Sequence, residues 1–323
     1  MSQSFTPAEL RDRFGDLPYI TPYQRIVALV DEEARLVELH EFHARGRCTG
    51  GAAWEVYHYA RTSPLVLSAR REGARNIFTC VEGKKELSLV PGLAGAGLEE
   101  VALVGDEVAL TYAGLAGGGV AAALCRGMAG NVISAEIHDE GGGATLGRAT
   151  IRVPAWRKLV VGADDTDDAR RGATWSTMNE IACVLEEEGH ASYLLHTIVQ
   201  LFPENPFRTT NCCATATVMG TPADLVKDAV RRVRELLLQR SYSDQCGMAW
   251  TTRVQPAGEV VQFAARARTR MVTIGEAREV AAASATELAA VTGERGCIGA
   301  LAATGAHGNP DEAVLLQDGE GVR

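Results

Sequence analysis

The sequence lacks three features that would assign it to a membrane, an exported or a disulfide-stabilised protein. No apolar run reaches the roughly 18 residues that a membrane-spanning helix requires. The N-terminus is polar and charged, without the apolar stretch of a signal peptide. The eight cysteines form no CxxC pair, and without an export signal they are expected to be reduced thiols. We therefore expect a cytoplasmic protein that does not associate with membranes.

An excess of basic residues is also missing. Against 41 Asp and Glu residues stand 32 Lys and Arg, which gives a formal net charge of −9 and a pI of about 5.4. Because contacts to phosphate supply most non-specific affinity for nucleic acid, this balance argues against a dedicated nucleic-acid binder.

The length of 323 residues predicts two domains. The segment PAWRK at 154–158 leads into a new apolar strand, so we place the boundary between domains 1–156 and 157–323. Strand-helix-strand order recurs in the first domain, which predicts an α+β fold of ferredoxin-like type that binds the acceptor or a partner. Strands alternate with helices in the second domain, which predicts an α/β nucleotide-binding fold. Within it we expect a strand over 260–273 and a helix over 285–293.

Four aspartates crowd into five residues directly after the apolar strand at 158–162, namely Asp164, Asp165, Asp167 and Asp168. Open α/β sheets bind ligands at the carboxyl ends of their strands. Like charges this close repel one another unless a cation is present, and Mg²⁺ prefers one or two carboxylates together with phosphate oxygens and water. The cluster therefore predicts a magnesium-phosphate site.

The residues that follow could hold the phosphates. Arg170 and Arg171 could donate charge-assisted hydrogen bonds, and Gly172 permits a tight turn. Thr174 and Ser176 place hydroxyls in the first turn of the next helix, where free N–H groups attract anions. The alternative is an exposed acidic turn that caps an ordinary helix, and the residue pattern leaves both open.

A second polar segment precedes the strand expected at 209–220. Arg208 could clamp a phosphate, while Asn205 and Asn211 lie beside it and Asn211 could read a base or a metal-bound water. A loop with internally satisfied polar side chains is the alternative. Elsewhere, His40, His43 and Cys48 have irregular spacing without an evident fourth ligand, which does not favour zinc.

The stretch GADDTDDARRGATW at 162–175 resembles the strand-loop-helix signature of archaeal tRNA-isoleucine agmatidine synthetases. Two later stretches resemble that family in the same order, LFPENPFRTTNCCATA at 201–216 and RGCIGALAATGAHG at 295–308. The resemblance covers residues 158 to the C-terminus. The barrel and zinc ribbon that follow this domain in the synthetases have no counterpart here.

This resemblance implies roles for several residues. Asp164, Asp165 and Asp167 would hold magnesium and ATP, with Asp167 either a third ligand or a base. A threonine at the helix start would become phosphorylated. Counting from DDTD gives Thr174, whereas counting from Gly172 gives Trp175, which cannot be phosphorylated. Thr174 is therefore preferred, with Ser176 as the second choice.

The whole chain resembles the methanogenesis marker protein 11 family. The stretches that carry this resemblance are GGAAWEVYHYARTSPLVLSAR, GDEVALTYAGLAGGGVAA and GADDTDDARRGATW. It implies an archaeal methanogen as the source and a metabolic context, but it names no reaction.

Together these features predict an ATP- and Mg²⁺-dependent enzyme that activates an acceptor oxygen by phosphoryl or adenylyl transfer, in a step linked to methanogenesis. A small molecule, an RNA and a protein all remain open as the acceptor. The competing hypotheses are an ATP-binding assembly or maturation factor for an enzyme of methanogenesis and a non-catalytic binding module. A complex with such an enzyme and a homodimer also remain open.

Overall fold

The computed structural model describes residues 4–207 and 211–317. The chain forms two compact units, Met1–Trp156 and Arg157–Arg323. The long strand Thr145–Asp164 passes through the boundary between them. No helix among the described residues is long and apolar enough to cross a membrane.

From Ser4 onward, where the structure describes it, the first unit contains three α-helices and nine complete strands, followed by the first part of the long strand. In chain order they are β1 (Ser4–Phe5), α1 (Pro7–Phe14), β2 (Arg25–Asp31), β3 (Leu36–Phe42), α2 (Thr49–Thr62), β4 (Val66–Glu72), β5 (Arg75–Val81), β6 (Gly83–Lys84), β7 (Ala96–Val104), β8 (Glu107–Leu115), α3 (Gly117–Val120), β9 (Ser134–Gly142) and β10 (Thr145–Asp164). A π-helical turn, Ala121–Cys125, continues α3.

The α+β class predicted for this unit is confirmed, whereas the ferredoxin-like type within that class stays a prediction. β2 pairs with β3, β3 with β5, and β5 with β4. A second run of pairs joins β6, β7, β8, β10, β9 and β1. All of these pairs are antiparallel. The hairpins at Glu32 and Gly105 form locally because short turns favour antiparallel neighbours.

A network of buried charges lies between α2, β3 and the π-helical turn of the first unit. The Arg126 side chain is fully buried and donates two hydrogen bonds to Glu41, at 3.1 and 2.7 Å. It also donates to Glu55 Oε2 at 2.9 Å. The rings of three tyrosines surround its guanidinium at 4.5–5.3 Å, namely Tyr23, Tyr59 and Tyr112. Charges this deep are tolerated because each is paired.

In its described ranges, 157–207 and 211–317, the second unit contains the end of β10, six α-helices and four further strands. They are α4 (Thr174–Glu187), β11 (Ser192–Gln200), β12 (Cys213–Thr221), α5 (Val226–Arg240), β13 (Gly247–Thr251), α6 (Gly258–Thr269), α7 (Ile274–Ala283), β14 (Glu287–Ala290), α8 (Gly296–Ala306) and α9 (Pro310–Ala313).

The sheet of the second unit separates two layers of helices. Its strand order is β11, β12, β10, β13, β14, and every neighbour is antiparallel. Leu159 and Val161 of β10 pack with α4 and α5, while Val160 packs with α6 and α8 on the opposite face. Both faces of β10 are therefore covered, which explains its continuous apolar run. The predicted α/β class is confirmed.

Two secondary-structure predictions for this unit are wrong. Residues 260–273, expected to be a strand, begin within helix α6, whose buried residues Val260, Phe263, Ala264 and Ala267 follow helical spacing. Residues 285–293, expected to be a helix, contain strand β14, which is paired with β13 along Gly247–Trp250. In the second case, pairing to an existing sheet edge overrides the helix propensity of Glu, Leu and Ala.

The substitution Arg126→Met tests the buried network. It leaves Glu41 and Glu55 buried without their cation, so we expect the free energy of unfolding to fall by about 3–5 kcal/mol. Arg152→Met is the matched control, because Arg152 is 41% exposed and 3.4 Å from Glu107, and exposed pairs contribute about 0–1 kcal/mol. Urea unfolding followed by circular dichroism measures both. Equal losses in the two variants would contradict the assignment.

Candidate functional site

The site is built on the contact between the end of β10 and helix α8. A Cβ atom on Gly162 would lie 2.0 Å from the carbonyl oxygen of Ala300, and one on Gly299 would lie 1.8 Å from Asp164 Oδ2. Glycine at these positions therefore lets the backbone of α8 lie directly against the strand. This approach places the Asp164 carboxyl beside the first turn of α8.

Asp165 follows in a left-handed backbone conformation, with φ of 55°. Such a conformation is uncommon for residues other than glycine, and it often marks functional sites. The Asp165 N–H donates to Asp164 Oδ1 at 2.8 Å, and Arg295 Nε donates to Asp165 Oδ2 at 3.0 Å. The turn thus holds two consecutive carboxyls at the end of one strand.

Thr166 anchors the loop that follows. Its side chain is buried, and its carbonyl accepts hydrogen bonds from Tyr242 N at 2.8 Å and Ser241 Oγ at 3.2 Å. Its hydroxyl donates to Thr174 Oγ1 at 3.0 Å. Thr174 in turn donates to Asp167 Oδ1 at 3.1 Å. The loop therefore fixes the hydroxyl of the first residue of α4 against a carboxylate.

Helix N-termini supply the positive side of the site. The N-cap of α4 is Ala173 and that of α8 is Arg295, and neither side chain caps its helix. The first N–H groups of a helix have no intrahelical partner and carry a partial positive charge. Both helix starts therefore suit an anion.

These groups line a cavity of about 660 Å³ that lies within the second unit. The polar lining residues include Asp164, Asp165, Asp167, Thr174 and Arg295. The apolar lining residues include Ile198, Leu201, Phe202, Phe207, Met271, Val272, Ile274 and Ile298. The volume is in the range of ligand pockets, about 300–1,000 Å³.

Two of the lining carboxyls, those of Asp164 and Asp165, favour a bound cation. Burial raises the pKa of Asp164 well above its usual range, and the charge of Asp165 raises it further. Burial also raises the pKa of Asp165, although Arg295 opposes this rise. Among residues 4–207 and 211–317, no three His, Cys, Asp or Glu side chains form a ready metal cage. Two carboxylates nevertheless suit Mg²⁺, which retains water and phosphate oxygens.

Five of the residues selected from the sequence do not line the cavity, namely Asp168, Arg170, Arg171, Gly172 and Ser176. Asp168 Oδ1 accepts the N–H groups of Arg170 and Arg171, at 2.7 and 3.0 Å, which makes this segment an Asp-stabilised turn. The Arg171 guanidinium stacks on Tyr242 at 4.2 Å. Gly172 ends the turn with a φ of 96°. The position suits glycine, because a Cβ there would lie only 2.8 Å from Asp167 Cβ. Ser176 is part-buried in α4.

The second polar segment is only partly described. Asn205 and Asn211 both line the cavity. Asn205 Oδ1 accepts the Phe207 N–H at 2.9 Å, so its side chain also shapes the loop. Arg208 lies outside the described residues.

Sequence reasoning missed several residues that line the cavity. Arg295 is separated from its partner Asp165 by 130 positions, so nothing in local sequence links them. Its guanidinium also lies 5.6 Å from the Phe207 ring. Arg270 lines the cavity from the end of α6, a segment expected to be a strand. Cys212, whose φ is 57°, lines it as well.

Comparison with known protein sequences found an extensive relative. The chain is 42% identical, over 283 residues, to the uncharacterized protein MJ0921 of Methanocaldococcus jannaschii. The match covers 88% of this chain and 93% of that protein. The chain belongs to the MJ0921 family. The membership of this family in methanogenesis marker protein 11 stays a prediction.

The family model of the TiaS TCKD domain matches residues 160–223. This confirms the TiaS-like resemblance over the end of β10, the aspartate loop, α4, β11 and β12. A solved structure of the complex of TiaS with an isoleucine tRNA and ATP is 25% identical, with a TM-score of 0.43, and covers 46% of this chain. Apo TiaS, a tRNA agmatidine synthetase, is 24% identical with a TM-score of 0.40. The chain spans 36% and 35% of these two TiaS chains.

The substitution Gly162→Ala tests the contact that builds the site. The added methyl would meet the Ala300 carbonyl, a backbone atom that cannot move alone, so we expect a loss of about 1–3 kcal/mol in stability. Gly308→Ala is the control, since no heavy atom lies within 4 Å of a Cβ there. Thermal unfolding compares the two variants. A Gly162 variant as stable as the Gly308 variant would show that α8 does not need this close approach.

Proposed function

We propose that the second unit binds ATP with Mg²⁺ and transfers its terminal phosphoryl group. The observation that carries the proposal is the hydrogen bond from Thr174 Oγ1 to Asp167 Oδ1, at 3.1 Å, in a cavity that also contains Asp164 and Asp165. A hydroxyl paired with a carboxylate beside a cation site is the arrangement that phosphoryl transfer requires. The match to the TiaS TCKD domain supports the same reading.

The polar lining residues of the cavity suit a triphosphate. The uncapped starts of α4 and α8 offer N–H groups to phosphate oxygens. Arg295 lies at the start of α8 and can bridge Asp165 and a phosphate, because its guanidinium has five N–H donors in a planar fork. Arg170 and Arg171 do not line the cavity, so Arg295 replaces them in the proposal.

The carboxyl groups that line the cavity suit magnesium. Asp164 and Asp165 would hold the ion, whose positive charge would offset the negative charge that develops during phosphoryl transfer. Asp167 acts as the base in this proposal, since its Oδ1 already accepts the Thr174 hydroxyl. The raised pKa values of Asp164 and Asp165 fit such a site, because burial leaves their charges only partly offset by Arg295.

The apolar lining residues of the cavity suit a purine ring. Phe202, Phe207 and Ile298 are among them. Aromatic and aliphatic side chains bind bases through stacking and burial rather than through charge. The polar lining residues thus suit the phosphates of a nucleotide, and the apolar lining residues suit its base.

Transfer to Thr174 would proceed by attack of its oxygen on the terminal phosphorus. The new Oγ1–P bond forms, the bond from that phosphorus to the ADP oxygen breaks, and Asp167 takes the hydroxyl proton. The phosphorylated threonine could then pass its phosphoryl group to an acceptor oxygen. The acceptor and the link to methanogenesis remain predictions from the sequence.

The substitution Asp164→Asn should weaken ATP binding at least about tenfold, or ~1.4 kcal/mol, because the amide cannot give the cation its charge. Asp168→Asn is the matched control, since Asp168 shapes the turn outside the cavity and an amide oxygen can still accept its hydrogen bonds. Calorimetric titration with ATP and Mg²⁺ measures both. Equal affinities in the parent and the Asp164 variant would refute the metal assignment.

Incubation with ATP and Mg²⁺ should phosphorylate Thr174, because its hydroxyl already faces a base. Peptide mass spectrometry should find the modification in the parent and in Ser176→Ala, but not in Thr174→Val. Modification that persists in the Thr174 variant and disappears in the Ser176 variant would move the role to the second choice. Consumption of ATP without any modified peptide would refute transfer to this helix start.

A further inference from the structure

A second cavity, of about 740 Å³, lies within the first unit. Its lining includes the thiol-bearing residue Cys48, the imidazole of His43 and the carboxylate of Glu55. Arg45 and Arg47 line it as well. The cavity therefore combines a nucleophile, a base, a carboxylate and two cations, none of which takes part in the nucleotide site.

His43 is held in one orientation. Its Nε2 lies 3.0 Å from Glu55 Oε2, and its ring packs 4.5 Å from the Tyr23 ring. Burial favours the neutral form of Glu55, but the Arg126 charge and hydrogen bonds from His43 and Tyr23 prevail and lower its pKa to about 2. Glu55 is thus a carboxylate, which can only accept, so Nε2 of His43 donates to it and the ring lone pair lies on Nδ1. Asn76 Nδ2 also lies 3.0 Å from Nε2, and it donates to Glu55 Oε2 at 2.9 Å.

Nδ1 of His43 lies close to the thiol of Cys48. A Cβ atom built on Gly51 would be 2.7 Å from Cys48 Sγ and 3.3 Å from His43 Nδ1. The distance between Sγ and Nδ1 cannot exceed the sum of these two distances, so the two atoms lie within about 6 Å of each other. In a working catalytic pair the two atoms are about 2.6–3.2 Å apart, and the distance is often longer before substrate binds. Glycine at position 51 keeps the space between them free of a side chain.

The surroundings of the thiol are positively charged. Cys48 is exposed and is the N-cap residue of α2, a 14-residue helix without an acidic residue in its first turn. The start of a helix carries a partial positive charge. Arg45 and Arg47 add two cations to the same cavity. Reactive cysteines occupy electropositive and partly exposed positions of this kind.

We propose that Cys48, His43 and Glu55 form a second active site, in which Cys48 is a nucleophile toward an acyl compound that carries an anionic group. His43 Nδ1 takes the thiol proton, the sulfur bonds to the carbonyl carbon, and the bond from that carbon to the leaving group breaks. The leaving group takes the proton from His43. Water then attacks the thioester, which releases the acid and returns the proton to sulfur.

The other groups have supporting roles. The N–H groups of Gly50 and Gly51, which lack partners within the helix, would stabilise the oxyanion as it forms. The Thr49 N–H has another role, because it donates to the Arg47 carbonyl at 2.9 Å. Glu55 is a positioning residue that holds the His43 tautomer. Arg45 and Arg47 select an anionic acyl compound. This activity is independent of the nucleotide site in the second unit.

The first test compares the two exposed cysteines within one folded protein. Cys183, on α4, is the internal control, because burial and the charges of Glu180, Glu186 and Glu187 raise its pKa. With limiting iodoacetamide at neutral pH, peptide mass spectrometry should find Cys48 alkylated at least about tenfold faster than Cys183. Unfolding in urea should remove the difference. Equal rates in the folded protein would overturn the proposal.

The second test detects the acyl enzyme with p-nitrophenyl acetate as the probe. The parent and Cys183→Ser should each release a burst of p-nitrophenol and carry an acetyl group on Cys48, whereas Cys48→Ser and His43→Asn should lose the burst. The location of the acetyl group in the parent needs no variant, so a His43 variant that fails to fold leaves the test intact. Acetylation elsewhere, or a burst that survives in Cys48→Ser, would overturn the proposal.

Discussion

The direct contact between helix α8 and the end of strand β10 is the constraint on which the nucleotide site depends. The contact has a glycine on each side, Gly162 on β10 and Gly299 on α8, because the neighbouring atoms leave no space for a Cβ at either position. The contact brings the start of α8 to Asp164, and with it Arg295 to Asp165. The partial positive charge of the helix start and the Arg295 guanidinium thereby lie beside two carboxyls. Both favour the charged form of these carboxyls, which burial would otherwise disfavour.

The same contact explains why the acidic cluster does not act as one unit. Asp164 and Asp165 line the cavity, Asp167 accepts the hydroxyl of Thr174, and Asp168 stabilises the next turn. In the proposed function, the four carboxyls therefore divide into two cation ligands, a base and a turn residue. Backbone geometry makes this division, because Asp165 and Gly172 both have positive φ and redirect the chain within eight residues.

Local signals in the sequence predicted the aspartate loop and the start of α4. Charge repulsion and the free N–H groups of a helix start act over a few residues, so they can be read from the sequence. Arg295 could not be found in this way, because only the packed sheet brings it to Asp165. The strand prediction for residues 260–273 was wrong for a related reason. Valine favours strands, and only the packing of this segment against α8 and β10 shows that its buried residues follow helical spacing.

The His43 cluster shows a similar limit. Irregular spacing of His40, His43 and Cys48 argued against zinc, and in the structure His40 and His43 have different partners. His40 Nε2 lies 2.8 Å from Glu38, whereas His43 bonds Glu55 on α2. The buried Arg126 network, built from residues far apart in the sequence, keeps Glu55 charged and so fixes the base. Tertiary pairing rather than motif spacing therefore defines the second cavity.

The central claim is that the second unit holds a nucleotide through a cation bound by Asp164 and Asp165. Calorimetric titration of the full chain with ATP, once with Mg²⁺ and once with EDTA, tests it most directly. We expect saturable binding that requires Mg²⁺. Absence of binding at millimolar ATP, or equal affinity in EDTA, would contradict the account.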